Sequence, residues 1–327
     1  MKNILITGGT GFIGSNLSAA LVEQGYSVRI FRRPSSPLAA VGDLDVEHVI
    51  GDLRDLESVR RALKGCDTVF HVGALVSYWR RQRREMYEIN IGGTRNVVEA
   101  CLQQGIERLV HTSSIAAIGY SETNLPADET NAFNWDSFDI GYRISKFRAE
   151  QEILRGVSLG LSSVIVNPAV VIGERDIHFN GGQIVRDVYK KRLFYYISGG
   201  TNVAYVGDVV RGHILAALKG RVGERYILGG ENLTYREMLE MASEVVGGVR
   251  PFFKLPFWVA RGIASISEMV ADVTGSKPWV GRELVAGLHK RSWFSCEKAV
   301  RELGYSVTPF RTAVQRTFDW YREHNFL

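Results

Sequence analysis

Residues 3–14 read NILITGGTGFIG, a short apolar run that leads directly into a cluster of glycines. An uninterrupted apolar run of this length is typical of a strand that is buried on both faces of a sheet. Because glycine is costly inside helices and strands, four glycines within residues 7–14 indicate a tight turn. The apolar spacing after the turn predicts a helix that ends at Gly25.

The spacing of Gly8, Gly11 and Gly14 between a strand and a helix indicates a dinucleotide-binding turn. In that setting the first glycine forms the turn, the second lets a pyrophosphate approach the backbone, and the third lets helix and strand pack closely. The free N–H groups at the start of the helix then bind the phosphates. A tight turn without a ligand explains three spaced glycines poorly.

The rest of the N-terminal half alternates between strands and helices. This alternation predicts a Rossmann-type α/β fold, a doubly wound parallel sheet with helices on both faces, over residues 1–172. The rhythm breaks after Gly173. We expect residues 173–327 to form mainly a smaller α+β lobe that binds the substrate, with some segments returning to the first domain.

The composition is that of an ordinary globular protein, with 327 residues of which 45% are hydrophobic and 23% charged. A net charge of +5 permits an anionic ligand but is too mild to indicate a nucleic-acid partner. The three cysteines fit neither a disulfide framework nor a metal-binding spacing, and no other cluster suggests a metal. No apolar run has the length of a membrane span. We therefore expect a cytoplasmic protein, monomeric or homodimeric.

The end of the second strand bears on the choice of dinucleotide. NAD sites usually place an acidic residue there, whereas NADP sites have a nearby arginine for the 2′-phosphate. This chain has Arg32 and Arg33, and a guanidinium suits a phosphate, so NADP(H) is favoured over NAD(H). The alternative is a solvated basic loop. Asp52, after the third strand, is a candidate for the adenine edge or for a helix cap.

The segment YRISK places Tyr142 and Lys146 four residues apart, on one face of a predicted helix. Ser114 follows the fifth strand, at the sheet edge where ligands bind in such folds. A nearby ammonium and a cationic nicotinamide lower the pKa of a tyrosine, which is ordinarily about 10. Tyr142 then donates a proton to a carbonyl oxygen that Ser114 binds. The alternative is a solvated helix face.

Together these motifs resemble those of the extended short-chain dehydrogenases/reductases, and within them the dihydroflavonol-4-reductase-like branch. The resemblance implies Ser114, Tyr142 and Lys146 as a catalytic triad, with Asn90 as a supporting polar residue. It extends over nearly the whole chain, through the segments TGGTGFIG, GDL, FHVGA, NIGGTRN, HTSS, YRISK, NPAVVIG, VAYVGDVV and YILGG. Ser114 is followed by Ile115 and Ala116, not by the Asp-Glu pair of the nucleotide-sugar dehydratases, so dehydration is disfavoured.

The resemblance also implies further contacts with the cofactor. They are Phe12 and Ile13 at the pyrophosphate, Arg33 at the 2′-phosphate, Asp52 and Leu53 at the adenine, Gly73 beside the cofactor, and Pro168 and Val171 near the nicotinamide.

These features predict an NADP(H)-dependent oxidoreductase that interconverts a ketone or aldehyde and an alcohol. Two alternatives stay open: a nucleotide-sugar epimerase that retains its NAD(P), and a non-catalytic dinucleotide sensor. The substrate is expected to be a small molecule, and the apolar segments 255–270 and 277–288 are interpreted as core, as a lining for an apolar substrate, or as a membrane-docking surface. Tyr78 and Trp79 are candidates for a lid over the site. The arginines of residues 80–84 either bind an anionic group or belong to a solvated loop.

Overall fold

The computed structural model describes residues 1–123 and 125–327. In chain order, the strands are β1 (Asn3–Thr7), β2 (Ser27–Arg32), β3 (Glu47–Ile50), β4 (Thr68–His71), β5 (Arg108–Thr112), β6 (Ser163–Pro168), β7 (Val170–Ile172), β8 (Tyr195–Tyr196), β9 (Gly200–Tyr205), β10 (Arg225–Leu228), β11 (Glu231–Thr234), β12 (Phe253–Lys254) and β13 (Arg291–Ser292).

The helices are α1 (Phe12–Glu23), α2 (Leu56–Leu63), α3 (Arg83–Tyr87), α4 (Gly93–Gln104), α5 (Gly141–Ser158), α6 (Gln183–Tyr189), α7 (Val206–Lys219), α8 (Tyr235–Val246), α9 (Phe257–Thr274), α10 (Arg282–Leu288), α11 (Glu297–Leu303) and α12 (Phe310–Glu323). Short 3₁₀ turns lie at Arg80–Gln82, Ile115–Ala117 and Asp136–Phe138, and a π-helical turn lies at Glu88–Gly92.

The centre of the described fold is a seven-stranded sheet in the order β10-β6-β5-β4-β1-β2-β3, and every neighbouring pair is parallel. The strands in the middle of the sheet, such as β1 and β4, are mostly apolar because both faces are covered, whereas the edge strand β3 is mostly exposed. Along β1, Ile4 and Ile6 join one core cluster while Leu5 joins the other. This alternation packs α1 and α7 on one face and α2, α4 and α5 on the other. The doubly wound parallel sheet predicted from the sequence is confirmed.

The smaller lobe contains a mixed sheet built around β9. Strand β11 pairs antiparallel with β9, while β7 and β13 pair parallel with it. The segment of residues 161–173 contains two strands, β6 and β7, that belong to different sheets. Later segments of the chain also return to the seven-stranded sheet, since β10 pairs with β6 and α7 packs against β5 and β6. The division at residue 172 stays a prediction, and these later segments complete the first domain.

Helix α9 lies at the periphery and buries mainly small side chains, among them Ala260, Ala264 and Ala271. Its other face leaves Trp258 and Val273 largely in solvent, 76% and 84% exposed. Among the helices that the structure describes, none combines the length and apolar character needed to cross a membrane.

Candidate active site

The glycine turn has the geometry that a phosphate-binding loop needs. Gly8 has a φ of +67°, and a Cβ there would lie 2.6 Å from the Cα of Gly73. A Cβ on Gly14 would overlap the carbonyl oxygen of Gly8, so helix α1 packs directly onto the turn. Gly11 precedes α1 and provides no side-chain cap, which leaves N–H groups free at the first helical residues, Phe12 and Ile13. A dinucleotide pyrophosphate therefore fits this turn.

The ends of β1 and β4 are joined beside the turn. The hydroxyl oxygen of Thr7 accepts a hydrogen bond from the N–H of Gly73 at 3.1 Å and bonds His71 Nδ1 at 2.7 Å. A Cβ on Gly73 would approach the Leu53 side chain to 3.1 Å. Leu53 and Gly73 thus lie together at the carboxyl edge of the sheet, next to Gly8.

Arg33 and Asp52 follow β2 and β3, where the sequence predicts the adenosine end of the cofactor. Arg33 is exposed, and its guanidinium has no hydrogen-bond or ion-pair partner within residues 1–123 and 125–327, whereas Arg32 contacts His48. The carboxylate of Asp52 is bound by Arg54 at 2.7 and 3.0 Å. Hydrogen bonds from Arg54 hold the pKa of Asp52 below its ordinary value, against the effect of burial, and Arg33 adds a smaller charge effect.

The alternative that Asp52 caps a helix is wrong. Helix α2 begins four residues later, and its cap is Asp55, whose carboxylate accepts the N–H of Glu57 at 3.1 Å. The signal DLRD contains two aspartates, and only the helix boundary distinguishes their roles.

Ser114 and Tyr142 line the same cavity. Ser114 follows β5 and starts a 3₁₀ turn, where its hydroxyl accepts the N–H of Ala116 at 3.1 Å. Tyr142 lies in the first turn of α5, and its ring is 5.7 Å from the ring of Tyr78 in an edge-on arrangement. The residues predicted to share one carbonyl oxygen are thus brought together, and Tyr78, a lid candidate, forms part of the same wall.

Lys146 lies one helical turn beyond Tyr142 and is only 4% exposed. Its Nζ donates to the carbonyl oxygen of Thr112, at 2.8 Å. Burial lowers the pKa of Lys146 to about 8, and the carboxyl group of Glu150 acts weakly in the opposite direction. An ammonium has three donors, so two remain for other acceptors, such as the hydroxyls of a nicotinamide ribose.

The lowered pKa expected for Tyr142 is not found in this structure. Burial raises the pKa of Tyr142 well above its ordinary value, and Tyr78 adds to the rise. The Ser114 hydroxyl and the charge of Arg143 oppose it. The physical reason is desolvation of the phenol, which disfavours the phenolate.

Asn90 lies in the π-helical turn that interrupts the helical region at INIGG. Its side chain is 2% exposed and bridges two elements. The Oδ1 atom accepts the N–H of Leu75 at 2.7 Å, while Nδ2 donates to the carbonyl of Leu75 and to the hydroxyl of Ser145. Asn90 therefore positions α5 against the loop after β4, and the amide is fully used in doing so.

Pro168 ends β6, and Val171 is a nearly buried residue of β7. Ala169 and Val170, which lie between them, line the cavity with Ser114 and Tyr142. The segment NPAVVIG thus forms one wall beside the proposed nicotinamide position.

The cavity has a volume of about 540 Å³ and reaches from the triad into the smaller lobe. Helix α10 contributes Glu283, Leu284, Gly287 and Leu288, so the second apolar segment does line it. Helix α9 contributes none of the described lining residues. The described arginines of residues 80–84 all lie in ion pairs, with Asp139, Asp272, Glu283 and Glu88.

Sequence reasoning missed Arg143, which also lines the cavity and stacks on Trp135, 3.6 Å from the ring centroid. The signal was present, because Arg143 directly follows Tyr142 in YRISK. A side chain one position along a helix points about 100° away, so the spacing alone placed it off the catalytic face.

A glycine turn at the carboxyl edge of a parallel sheet, beside a cavity lined by a serine and a tyrosine, is typical of nicotinamide-dependent oxidoreductases of the doubly wound class. The sequence model of the NAD dependent epimerase/dehydratase family matches residues 4–229. The chain belongs to this family, the extended short-chain dehydrogenases/reductases, and its cofactor is a nicotinamide dinucleotide.

Named relatives are similar over nearly their whole length. A protein of Synechocystis sp. that carries the provisional name dihydroflavonol 4-reductase is 36% identical over 98% of this chain and 95% of its own. The 2-alkyl-3-oxoalkanoate reductase of Stenotrophomonas maltophilia is 31% identical over 92% and 94%. The crystal structure of gox2253 superposes with a TM-score of 0.87 at 38% identity, over 99% of both chains.

Proposed function

We propose that this protein is an NADP(H)-dependent reductase that interconverts a ketone or aldehyde and the corresponding alcohol. The observation that carries the proposal is the cavity wall shared by Ser114 and Tyr142, with Lys146 buried behind it. Relatives named as reductases support the reaction class.

The residues divide the chemistry between them. The hydroxyl of Ser114 binds the carbonyl oxygen of the substrate, and Tyr142 donates its proton to that oxygen. When bound, the dinucleotide supplies the hydride that reduces the carbonyl carbon. Tyr142 acts as an acid in this direction, and burial, which raises its pKa, favours the protonated phenol before the reaction. Lys146 would hold the nicotinamide ribose, with the donors that Thr112 does not use.

Arg33 supports the preference for NADP(H). Its guanidinium is exposed at the end of β2, has no partner among the described residues, and lies near the adenosine end of the site. A 2′-phosphate would give it a charge-assisted contact. No acidic residue follows β2 to bind the ribose hydroxyls of NAD.

The cavity favours an apolar substrate over a nucleotide sugar. Much of its wall is formed by aliphatic side chains, namely Leu193, Ile197, Met238, Leu239, Leu284 and Leu288. Such a wall stabilises a ligand by excluding water from its apolar surface.

The test is a turnover screen that follows NADPH absorbance against a panel of ketones and aldehydes. We expect NADPH consumption with apolar carbonyl compounds, and purified protein that exchanges its cofactor freely. A protein that purifies with bound NAD, binds a nucleoside diphosphate and consumes no NADPH would be an epimerase. Binding of NADPH without turnover of any carbonyl compound would favour the sensor.

A further inference from the structure

The cavity contains a cation that the protein itself does not neutralise. Arg143 lines the cavity, and among residues 1–123 and 125–327 no carboxylate forms an ion pair with it. Its guanidinium lies over Trp135, whose indole is fully buried and donates to the carbonyl of Ile118 at 3.0 Å. The hydrogen bond holds the indole in place, and the cation–π contact with the indole holds the guanidinium in place. The charge is therefore preorganised within the wall.

The two carboxylates that line the same cavity are already occupied. Asp187 accepts from Arg186 at 2.9 Å. Glu283 pairs with Arg83 at 2.5 Å and accepts the N–H of Gly141 at 2.8 Å. They leave Arg143 surrounded by phenols and apolar groups. Burial lowers the pKa of Arg143, while Tyr78, Tyr235 and Tyr142 act weakly against it. A desolvated cation without a counter-ion is costly, and an anionic ligand group would offset that cost.

The position of the cation relative to the triad restricts where that anionic group lies. Arg143 and Tyr142 are adjacent in α5 and both reach the same cavity. One ligand in this cavity therefore contacts both, with an anionic group at Arg143 and a carbonyl oxygen at Tyr142, and the aliphatic part of the wall takes the rest of the substrate.

We propose that the substrates are ketones with apolar substituents that also carry a carboxylate, with the carboxylate bound by Arg143 and the ketone oxygen bound by Ser114 and Tyr142. This deepens the proposed function and rests on it. The ketone carbon gains a hydride from the reduced nicotinamide, and its oxygen gains the Tyr142 proton, which solvent then replaces. The product is the hydroxy acid, and the carboxylate is unchanged. A guanidinium is suited to a carboxylate because its planar fork can donate two hydrogen bonds.

The test compares 3-oxodecanoate with its methyl ester, which has the same ketone and chain but no charge. Wild type is expected to prefer the acid in kcat/KM by about tenfold, as one charge-assisted contact implies. Arg143→Met should reduce that preference by about tenfold, and Arg143→Lys should retain part of it. Melting temperature and NADPH binding establish that each variant is folded.

A binding measurement tests the role of Arg143 separately from the proposed reductase activity. The affinity of 3-hydroxydecanoate in the presence of NADPH, a pair that cannot react, is measured by calorimetry for wild type and Arg143→Met. A loss of affinity of about tenfold in the variant supports the assignment, even if no ketone is turned over. Equal affinities, or a wild type that prefers the ester, overturn it. Turnover of the ester without any preference for the acid would support the proposed reductase function and contradict only the proposed role of Arg143.

Discussion

The ammonium of Lys146 donates to the carbonyl of Thr112, at the end of strand β5, which also leads to Ser114. This contact ties α5 to the carboxyl edge of the sheet. It also places a charge where little solvent reaches, so burial lowers the pKa of Lys146 from its ordinary value of 10.5 to about 8.

The lowered pKa predicts a pH-dependent stability without cofactor. Between pH 8 and 10.5 the unfolded chain carries the Lys146 proton while the folded chain has lost it. Unfolding then takes up a proton, so the contribution of Lys146 to the free energy of unfolding rises with pH across this window. Below it both states are protonated and the contribution is constant. Denaturant titrations of wild type and Lys146→Met should show wild type gaining relative stability from pH 8 to 10. A constant difference would contradict the burial of this charge.

Arg33→Ala should weaken NADPH binding by about 1.5–3 kcal/mol and leave NADH binding nearly unchanged, because NADH lacks the 2′-phosphate. The matched control is Arg60→Ala, which removes an exposed arginine of α2 that pairs with Glu57. Fluorescence titrations of wild type and both variants with both cofactors give the six affinities needed. Equal losses for NADPH and NADH, or a wild type that prefers NADH, would be incompatible with the assignment of Arg33.

Tyr142→Phe should retain NADPH binding and lose most turnover, because it removes the proton donor and little volume. The natural control is Tyr78→Phe, since this phenol lies in the same wall with its ring 5.7 Å away and should matter far less. Ser114→Ala should cost no more than about 2.7–4 kcal/mol in activation free energy, the value of one donor to a developing oxyanion. Turnover by Tyr142→Phe near the wild-type rate would contradict the role of Tyr142 as the proton donor.

The sequence allowed the fold to be predicted because local patterns determine it. Gly8 and Gly14 are required by backbone contacts that only glycine permits, and strands buried on both faces are apolar throughout. Other features depend on long-range packing, which spacing does not encode. The desolvation of Tyr142, the stacking of Arg143 on Trp135 and the pairing of β7 with β9 all arise from segments distant in the chain.

Asn90→Asp tests whether the π-helical turn positions the catalytic helix. The change keeps the size of the side chain but replaces the NH₂ group by an oxygen, so the bonds to the Leu75 carbonyl at 2.9 Å and the Ser145 hydroxyl at 3.0 Å lose their shared donor. We expect a loss of about 1–3 kcal/mol in the free energy of unfolding, because a buried acceptor is left unpaired. The matched control is Asn96→Asp in α4, whose amide makes a single half-buried bond to the carbonyl of Leu53 at 2.8 Å.

A positioning role for Asn90 further predicts a lower kcat, with the KM for NADPH little changed. The amide contacts α5 and the loop after β4 and is already fully used, so its loss displaces Tyr142 without removing a cofactor contact. Steady-state kinetics at a pH where Asn90→Asp is still folded separate the two constants. If Asn90→Asp matched wild type in kcat while being less stable, Asn90 would be structural only. If the KM for NADPH rose with kcat unchanged, the residue would instead belong to the cofactor site.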